Sequence, residues 1–171
     1  MIYLREICRQ DIPEINEWRN SRELFNSLGN VFRHINIETD ESWYSSYLQN
    51  RGNNVRCAIC LSSTNEIIGV VYLLHIDYVS GSAEFAIMIG KMENQGKGIG
   101  HLATVQMLKH AFQDLNLHRV YLSVLAGNQR AINMYRKNGF KEEGTLRKAV
   151  YKNGEYHDVI VMGLLREEFE E

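Results

Sequence analysis

Three glycines at alternate positions, with a lysine between two of them, equip the run Gln95-Gly96-Lys97-Gly98-Ile99-Gly100 to hold an anion. Glycine lets the backbone pass close to a ligand and take up positive φ. The run stands directly ahead of an apolar pattern at helical spacing: Leu102, Val105, Leu108, Phe112 and Leu115, with Ala103 and Ala111 beside them. Free amides at a helix start, together with the helix dipole, attract negative charge. A pyrophosphate is a natural occupant, and Lys97 adds a positive charge beside it. The run lacks the full G-x-x-x-x-G-K-S/T pattern and does not form G-x-G-x-x-G in an N-terminal parallel βαβ unit. Taken alone, three alternating glycines also fit a tight strand-to-helix turn with no ligand.

A second chemical candidate is a carboxylate. In Ser82-Ala83-Glu84-Phe85-Ala86-Ile87-Met88, strand alternation puts Glu84, Ala86 and Met88 on one face and Ala83, Phe85 and Ile87 on the other. A carboxylate on a central strand is costly unless it is wet or paired. That fits the wall of a pocket; the alternative is an ordinary solvent-facing glutamate. Cys57 and Cys60 make C-x-x-C on a strand-like run, where positions three apart face opposite ways, so they are read as plain thiols rather than zinc ligands. With Cys8 they make an odd number, not a disulfide framework. His34, His75, His101, His110, His118 and His157 have no metal-ligand spacing, and no metal is expected.

The elements that must position these groups follow from periodicity. A short strand over Ile2 to Ile7 precedes a helix capped by Asp11 and running to about Asn20. Ser21 to about Asn36 is irregular, with a turn at Gly29-Asn30. Thr39 caps a helix to about Leu48, with Asp40 and Glu41 in its first turn. Three strands, Val55–Leu61, Ile67–Ile76 and Ala83–Ile89, form an antiparallel meander. After the glycine run and its helix come a strand over Val120–Leu125 and a helix over Gln129–Lys137, closed by Asn138-Gly139. Strands over about Phe140–Tyr151 and Tyr156–Leu165 meet at Asn153-Gly154. The fold class expected is α/β with a mixed, mostly antiparallel sheet.

Composition bounds the rest. The chain has 171 residues, 44% hydrophobic and 23% charged, with a net charge of −2. That length suits one domain covering residues 1–171. The charge balance gives no sign of a nucleic-acid partner. No apolar run is long enough to span a bilayer, and the N-terminus does not read as a signal peptide, so a cytoplasmic location away from membranes is expected.

A second motif, Asn128-Gln129-Arg130-Ala131-Ile132-Asn133-Met134-Tyr135-Arg136-Lys137-Asn138-Gly139-Phe140, follows a strand. Together the two segments resemble the GNAT family of acetyl-CoA-dependent N-acetyltransferases. Gln95, Gly98 and Gly100 meet its Q/R-x-x-G-x-G/A pattern. Asn128, Ala131, Tyr135, Gly139 and Phe140 meet its Asn-x-x-Ala, Tyr and Gly-Phe pattern. The order of elements also matches, so the resemblance covers almost the whole chain. It implies about seven strands flanked by about four helices.

The resemblance carries roles to single positions. The pyrophosphate of acetyl-CoA would sit on the loop from Gln95 to Gly100, through Gly96, Lys97, Gly98 and Ile99. Its pantetheine arm would pair with the main chain of Ile87, Met88 and Ile89. Asn128 would hydrogen-bond the arm, and Arg130 is grouped with the coenzyme contacts. Tyr135 lies where the family places a general acid for the departing thiolate, and Glu84 is the candidate base for the amine. The acceptor is expected to be a small-molecule amine or a protein N-terminus. Ile76-Asp77-Tyr78, Ser82 to Phe85 and the tail from Tyr151 to Val159 resemble the spermidine type. Asn26 to Asn36, however, contains no acid, which argues against a polycation. Trp18-Arg19-Asn20 resembles the amino-sugar-nucleotide branch, and Phe32-Arg33-His34 lies where such folds build acceptor pockets. His118-Arg119 resembles a branch marker. A homodimer is expected from the resemblance. A non-catalytic acyl-CoA-binding or sensing module is the alternative function.

Overall fold

Alternating apolar residues along the middle strands leave two sheet faces to cover, and the helices divide between them. The computed structural model describes residues 1–170. Strands β1 (Ile2–Glu6), β2 (Val55–Leu61), β3 (Ile67–Asp77), β4 (Ser82–Ile89), β5 (Arg119–Leu125), β6 (Lys141–Lys152) and β7 (Glu155–Leu165) form one sheet ordered β1-β2-β3-β4-β5-β7-β6. Only β4 and β5 run parallel; every other neighbouring pair is antiparallel. The α-helices are α1 (Ile12–Arg19), α2 (Arg22–Asn26), α3 (Ile37–Gln49), α4 (Ile99–Lys109) and α5 (Gln129–Lys137). The mixed, mostly antiparallel sheet agrees with expectation. The fifth helix is α2, in the stretch read as irregular; its cap is Ser21, whose side chain accepts from the Leu24 amide. Among the described residues, no helix is long and apolar enough to cross a membrane.

Helices α4 and α5 cover one face, burying Ile99, Ala103, Met107, Leu108 and Ile132 against Ile59, Val71, Leu73 and Phe85. Helices α1 to α3 cover the other, burying Ile15, Trp18, Leu24, Tyr44 and Tyr47 against Ala58, Cys60 and Val70. Cys57 packs on the first face and Cys60 on the second, which is the opposed arrangement expected of the C-x-x-C pair. Burial pushes the Cys57 thiol up to about 11, so it stays protonated at neutral pH.

Three local readings are corrected. Thr39 does not cap α3; Asn36 does, its Oδ1 accepting from the Thr39 amide at 3.1 Å. The buried stripe of α4 is turned away from Leu102, which is 48% exposed, toward Ile99, Ala103 and Met107. Helical spacing identifies a stripe, but two stripes one residue apart share most of their members. Asp11 precedes α1 as expected but makes no side-chain cap bond there. Its Oδ2 instead accepts from the Cys8 amide at 2.8 Å, one turn earlier, and both oxygens take Arg5 nitrogens at 2.7 Å.

This buried Asp11 makes stability depend on pH. Burial alone would raise its pKa, but the Arg5 guanidinium and the Cys8 amide outweigh burial and hold the carboxyl below its ordinary value. A depressed folded pKa means that the unfolded chain binds the proton more readily. The stabilisation is therefore complete above the ordinary carboxylate value, roughly 4, and is lost as pH falls through the folded value. Asp11→Asn should be less stable than the parent at neutral pH by about 1–3 kcal/mol. The gap should narrow in acid, as read from urea midpoints measured against pH.

Candidate functional site

The site starts where two strands part. β4 and β5 pair at Ser82↔Arg119, Ala83↔Val120 and Glu84↔Tyr121, and nowhere beyond. β4 continues to Ile89 held by β3 on its outer edge, as far as the Gly69↔Ile89 pair. β5 continues to Leu125 held by β7, as far as Leu125↔Val159. Each strand follows its own outer neighbour, so the inner edges diverge into a fork. The fork opens into a cavity of about 890 Å³ whose wall includes Ile87, Met88, Ile89, Ser123 and Leu125. Beyond Glu84 the inner edge of β4 has no strand partner, so an extended ligand can bond along it as an added strand would, apart from the Ile89 carbonyl, which a side chain already occupies.

The glycine run lies at the wide end. Gly96 and Gly98 both sit at φ +79°, a conformation that strains other residues, and Gly98 immediately precedes α4. Gln95 braces the run: its Nε2 donates to the Ile89 carbonyl at 3.2 Å, and its Oε1 accepts from Arg130 Nη1 at 3.0 Å. Arg130 Nη2 thereby lies 3.6 Å from where a Cβ on Gly96 would stand. Arg130, from the first turn of α5, thus brings a second cation to the loop beside Lys97. Lys97 is exposed and Ile99 is buried in the core, and neither lines the cavity. Their main-chain amides belong to the loop, and the exposed Lys97 ammonium stands in solvent at its rim.

Tyr135 lines the cavity behind β4. It is 8% exposed and packs edge-on to Phe85 at 6.2 Å and Phe140 at 5.8 Å. Burial pushes its hydroxyl up to about 12, so the proton stays on across the physiological range. Asn128 caps α5, its Oδ1 accepting from the Ala131 amide at 3.1 Å, while its Nδ2 donates to the Ser27 carbonyl at 2.9 Å. One Nδ2 hydrogen is left for a ligand. Glu84 occupies the last paired position of the fork, on the face opposite Phe85, and also lines the cavity. His75 Nε2 approaches its Oε2 at 3.8 Å. His75 takes φ +51°, where the β3–β4 register slips.

The other half of the cavity lies under α1 to α3 and is lined by Arg19, Leu24, Trp43, Arg56, Tyr72 and Met88, among others. Arg19 is in place as anticipated, salt-bridged to the fully buried Asp40. Trp18 and Asn20 are not on this wall. Trp18 packs on Gly90, and Asn20 exchanges hydrogen bonds with the Ile35 main chain. Phe32, Arg33 and His34 do not line the cavity either. Arg119 of the branch-marker pair instead grips Glu143 with both terminal nitrogens at 2.5 Å. Trp43, Arg56, Tyr72 and His75 escaped the sequence reading. An arginine inside an apolar strand, Val55-Arg56-Cys57, was the one available signal.

Comparison with known proteins agrees with this geometry. The family model described as an acetyltransferase (GNAT) domain matches residues 2–141. Spermidine N(1)-acetyltransferase of Escherichia coli (strain K12) is 38% identical over 168 residues, covering 98% of this chain and 88% of that protein. The enzyme of the same name from Vibrio cholerae is 32% identical over 166 residues, covering 97% and 94%. A crystal structure of spermidine N-acetyltransferase from Vibrio cholerae with CoA and spermine superposes with a TM-score of 0.92 at 31% identity, covering 98% of this chain and 96% of that one. A forked sheet, a positive-φ glycine loop and these relatives converge: the chain belongs to the GNAT family and is an acetyl-CoA-dependent N-acetyltransferase.

Proposed function

We propose that Glu84 and Tyr135 serve the transfer from opposite faces of the fork. The observation that carries this reading is their placement. Glu84 stands at the point where β4 and β5 part, and Tyr135 packs on the adjacent Phe85 from behind. Acetyl-CoA supplies the acetyl thioester. The main chain of Ile87, Met88 and Ile89, the free amide hydrogen of Asn128, the loop amides from Gln95 to Gly100 and the Arg130 guanidinium hold it. Glu84 takes a proton from the acceptor's ammonium, directly or through water, and His75 offers that proton a path to solvent. Tyr135 keeps its own proton until the thiolate leaves, then donates it.

The acceptor is a primary amine on a small molecule or at a protein N-terminus. Among the described residues, Glu84 is the only carboxylate on the cavity wall, against Arg19 and Arg56. A polyamine would leave its second cation without a matching acid. The test is thiol release with spermidine, amino-sugar nucleotides and ribosomal-protein N-terminal peptides, in the parent and in Glu84→Gln. For the best acceptor, Glu84→Gln should lower kcat/KM at neutral pH by about 10²-fold. The gap should close as pH rises and the amine loses its proton unaided. An unchanged kcat/KM across pH would remove Glu84 from the mechanism.

A further inference from the structure

The acceptor half of the cavity contains a guanidinium without an anion. Arg56 projects from β2 into a box of aromatic rings, 4.8 Å from the centre of Tyr72, 5.0 Å from Trp43 and 5.7 Å from Tyr47. Its Nε is buried with no hydrogen-bond partner. The neighbouring cation, Arg19, is neutralised by Asp40; Arg56 has the neutral Tyr72 hydroxyl as a hydrogen-bond partner, and among the described residues it forms no salt bridge to a carboxylate. Stacking on rings offsets part of the cost of burying a charge, but a desolvated cation still favours an anion. Burial already draws its pKa below the ordinary arginine value.

Register ties this cation to the reacting end. Arg56 pairs with Tyr72 and Tyr72 with Ala86, so the three share a row on one face. Glu84 is two residues along β4 on the same face, which puts its Cα roughly 12 Å from that of Arg56 at ordinary strand spacings. The two side chains line one continuous cavity. We propose that Arg56 is a specificity residue: it receives a carboxylate or phosphate carried by the acceptor, whose amine then meets Glu84. This rests on the proposed acceptor site at Glu84.

The test uses acceptors matched in chain length: an ω-amino carboxylate, an aminoalkyl phosphate and the uncharged aminoalcohol, with spermidine beside them. The better anionic acceptor should exceed the aminoalcohol in kcat/KM by about tenfold or more, the scale of a charged hydrogen bond. The carboxylate-to-phosphate ranking then names the source of the anion. Arg56→Gln should bring the anionic-to-neutral ratio near unity, mainly through KM, and Arg56→Lys should keep part of it. Calorimetric binding of the aminoalkyl phosphate or the ω-amino carboxylate, whichever ranks first, to the CoA-bound protein should weaken by a similar factor. CoA affinity measured alongside shows that the variants are folded. If spermidine or the aminoalcohol matches the anionic acceptors, or if Arg56→Gln lowers all acceptors alike, the inference fails while the Glu84 site stands. If CoA binds and no amine turns over, the Glu84 reading fails and takes this one with it.

Discussion

Tyr135→Phe should lower kcat by about 10²–10⁴-fold, the usual range for a positioned acid, while acetyl-CoA binding stays near the parent value. The substitution removes one hydroxyl and keeps the ring that packs against Phe85 and Phe140, so the core should notice little. The pH profile separates this role from a structural one. A group that must be protonated contributes a falling limb only as pH rises through its pKa. Burial sets that point at about 12 for Tyr135, so the parent should show no alkaline loss from this group in the ordinary assay range. An acceptor amine that is better deprotonated at high pH should partly rescue Glu84→Gln but not Tyr135→Phe. Single-turnover rates and CoA titrations check both statements. A Tyr135→Phe enzyme within a few-fold of the parent would give the proton to water instead.

The second large effect is on stability. A Cβ on Gly90 would stand 2.0 Å from Cε2 and 2.1 Å from Cδ2 of Trp18. Trp18 is 5% exposed, packed in the layer beneath α1, so its ring has little room to move. Gly90 itself is fixed, its amide donating to the Ile68 carbonyl at 2.9 Å. Gly90→Ala should therefore cost about 3 kcal/mol, the upper part of the usual range for overpacking. That corresponds to a fall in Tm of roughly 6–12 °C for a chain of this size. Gly29→Ala is the control, because nothing lies within 4 Å of its added Cβ. Calorimetry showing equal Tm for the two variants would refute the packing argument.

What could be read in advance followed the range of the signal. The glycine run and the Asn128–Phe140 segment are contiguous, and each places its groups through one turn and one helix. Gln95, Gly96, Gly98, Gly100, Asn128, Arg130 and Tyr135 line one cavity, while the side chains of Lys97 and Ile99 do not. Strand alternation sorted Glu84 from Phe85 correctly, because a period of two needs no knowledge of neighbours. The Arg56 box was not legible. Trp43, Tyr47, Arg56 and Tyr72 come from α3, β2 and β3, and the Arg56↔Tyr72 register depends on pairing that no single strand reveals. Helix α2 was missed because five residues are too few to show a period. The cap of α3 was placed three residues late because Asn36 and Thr39 both suit a helix start, and only the bond between them decides.

The fork has a thermodynamic consequence apart from chemistry. A sheet split in its middle is an unfinished structure, and a ligand that zips its edges binds the native chain but not the unfolded one. Saturating coenzyme should then act as a folding ligand, adding about 2.7 kcal/mol at a hundredfold excess over its dissociation constant. The gain should concentrate in the inner edge of β4, where backbone amides exchange with solvent until an eighth partner arrives. In a cell, the lifetime of this protein would follow the supply of its own donor.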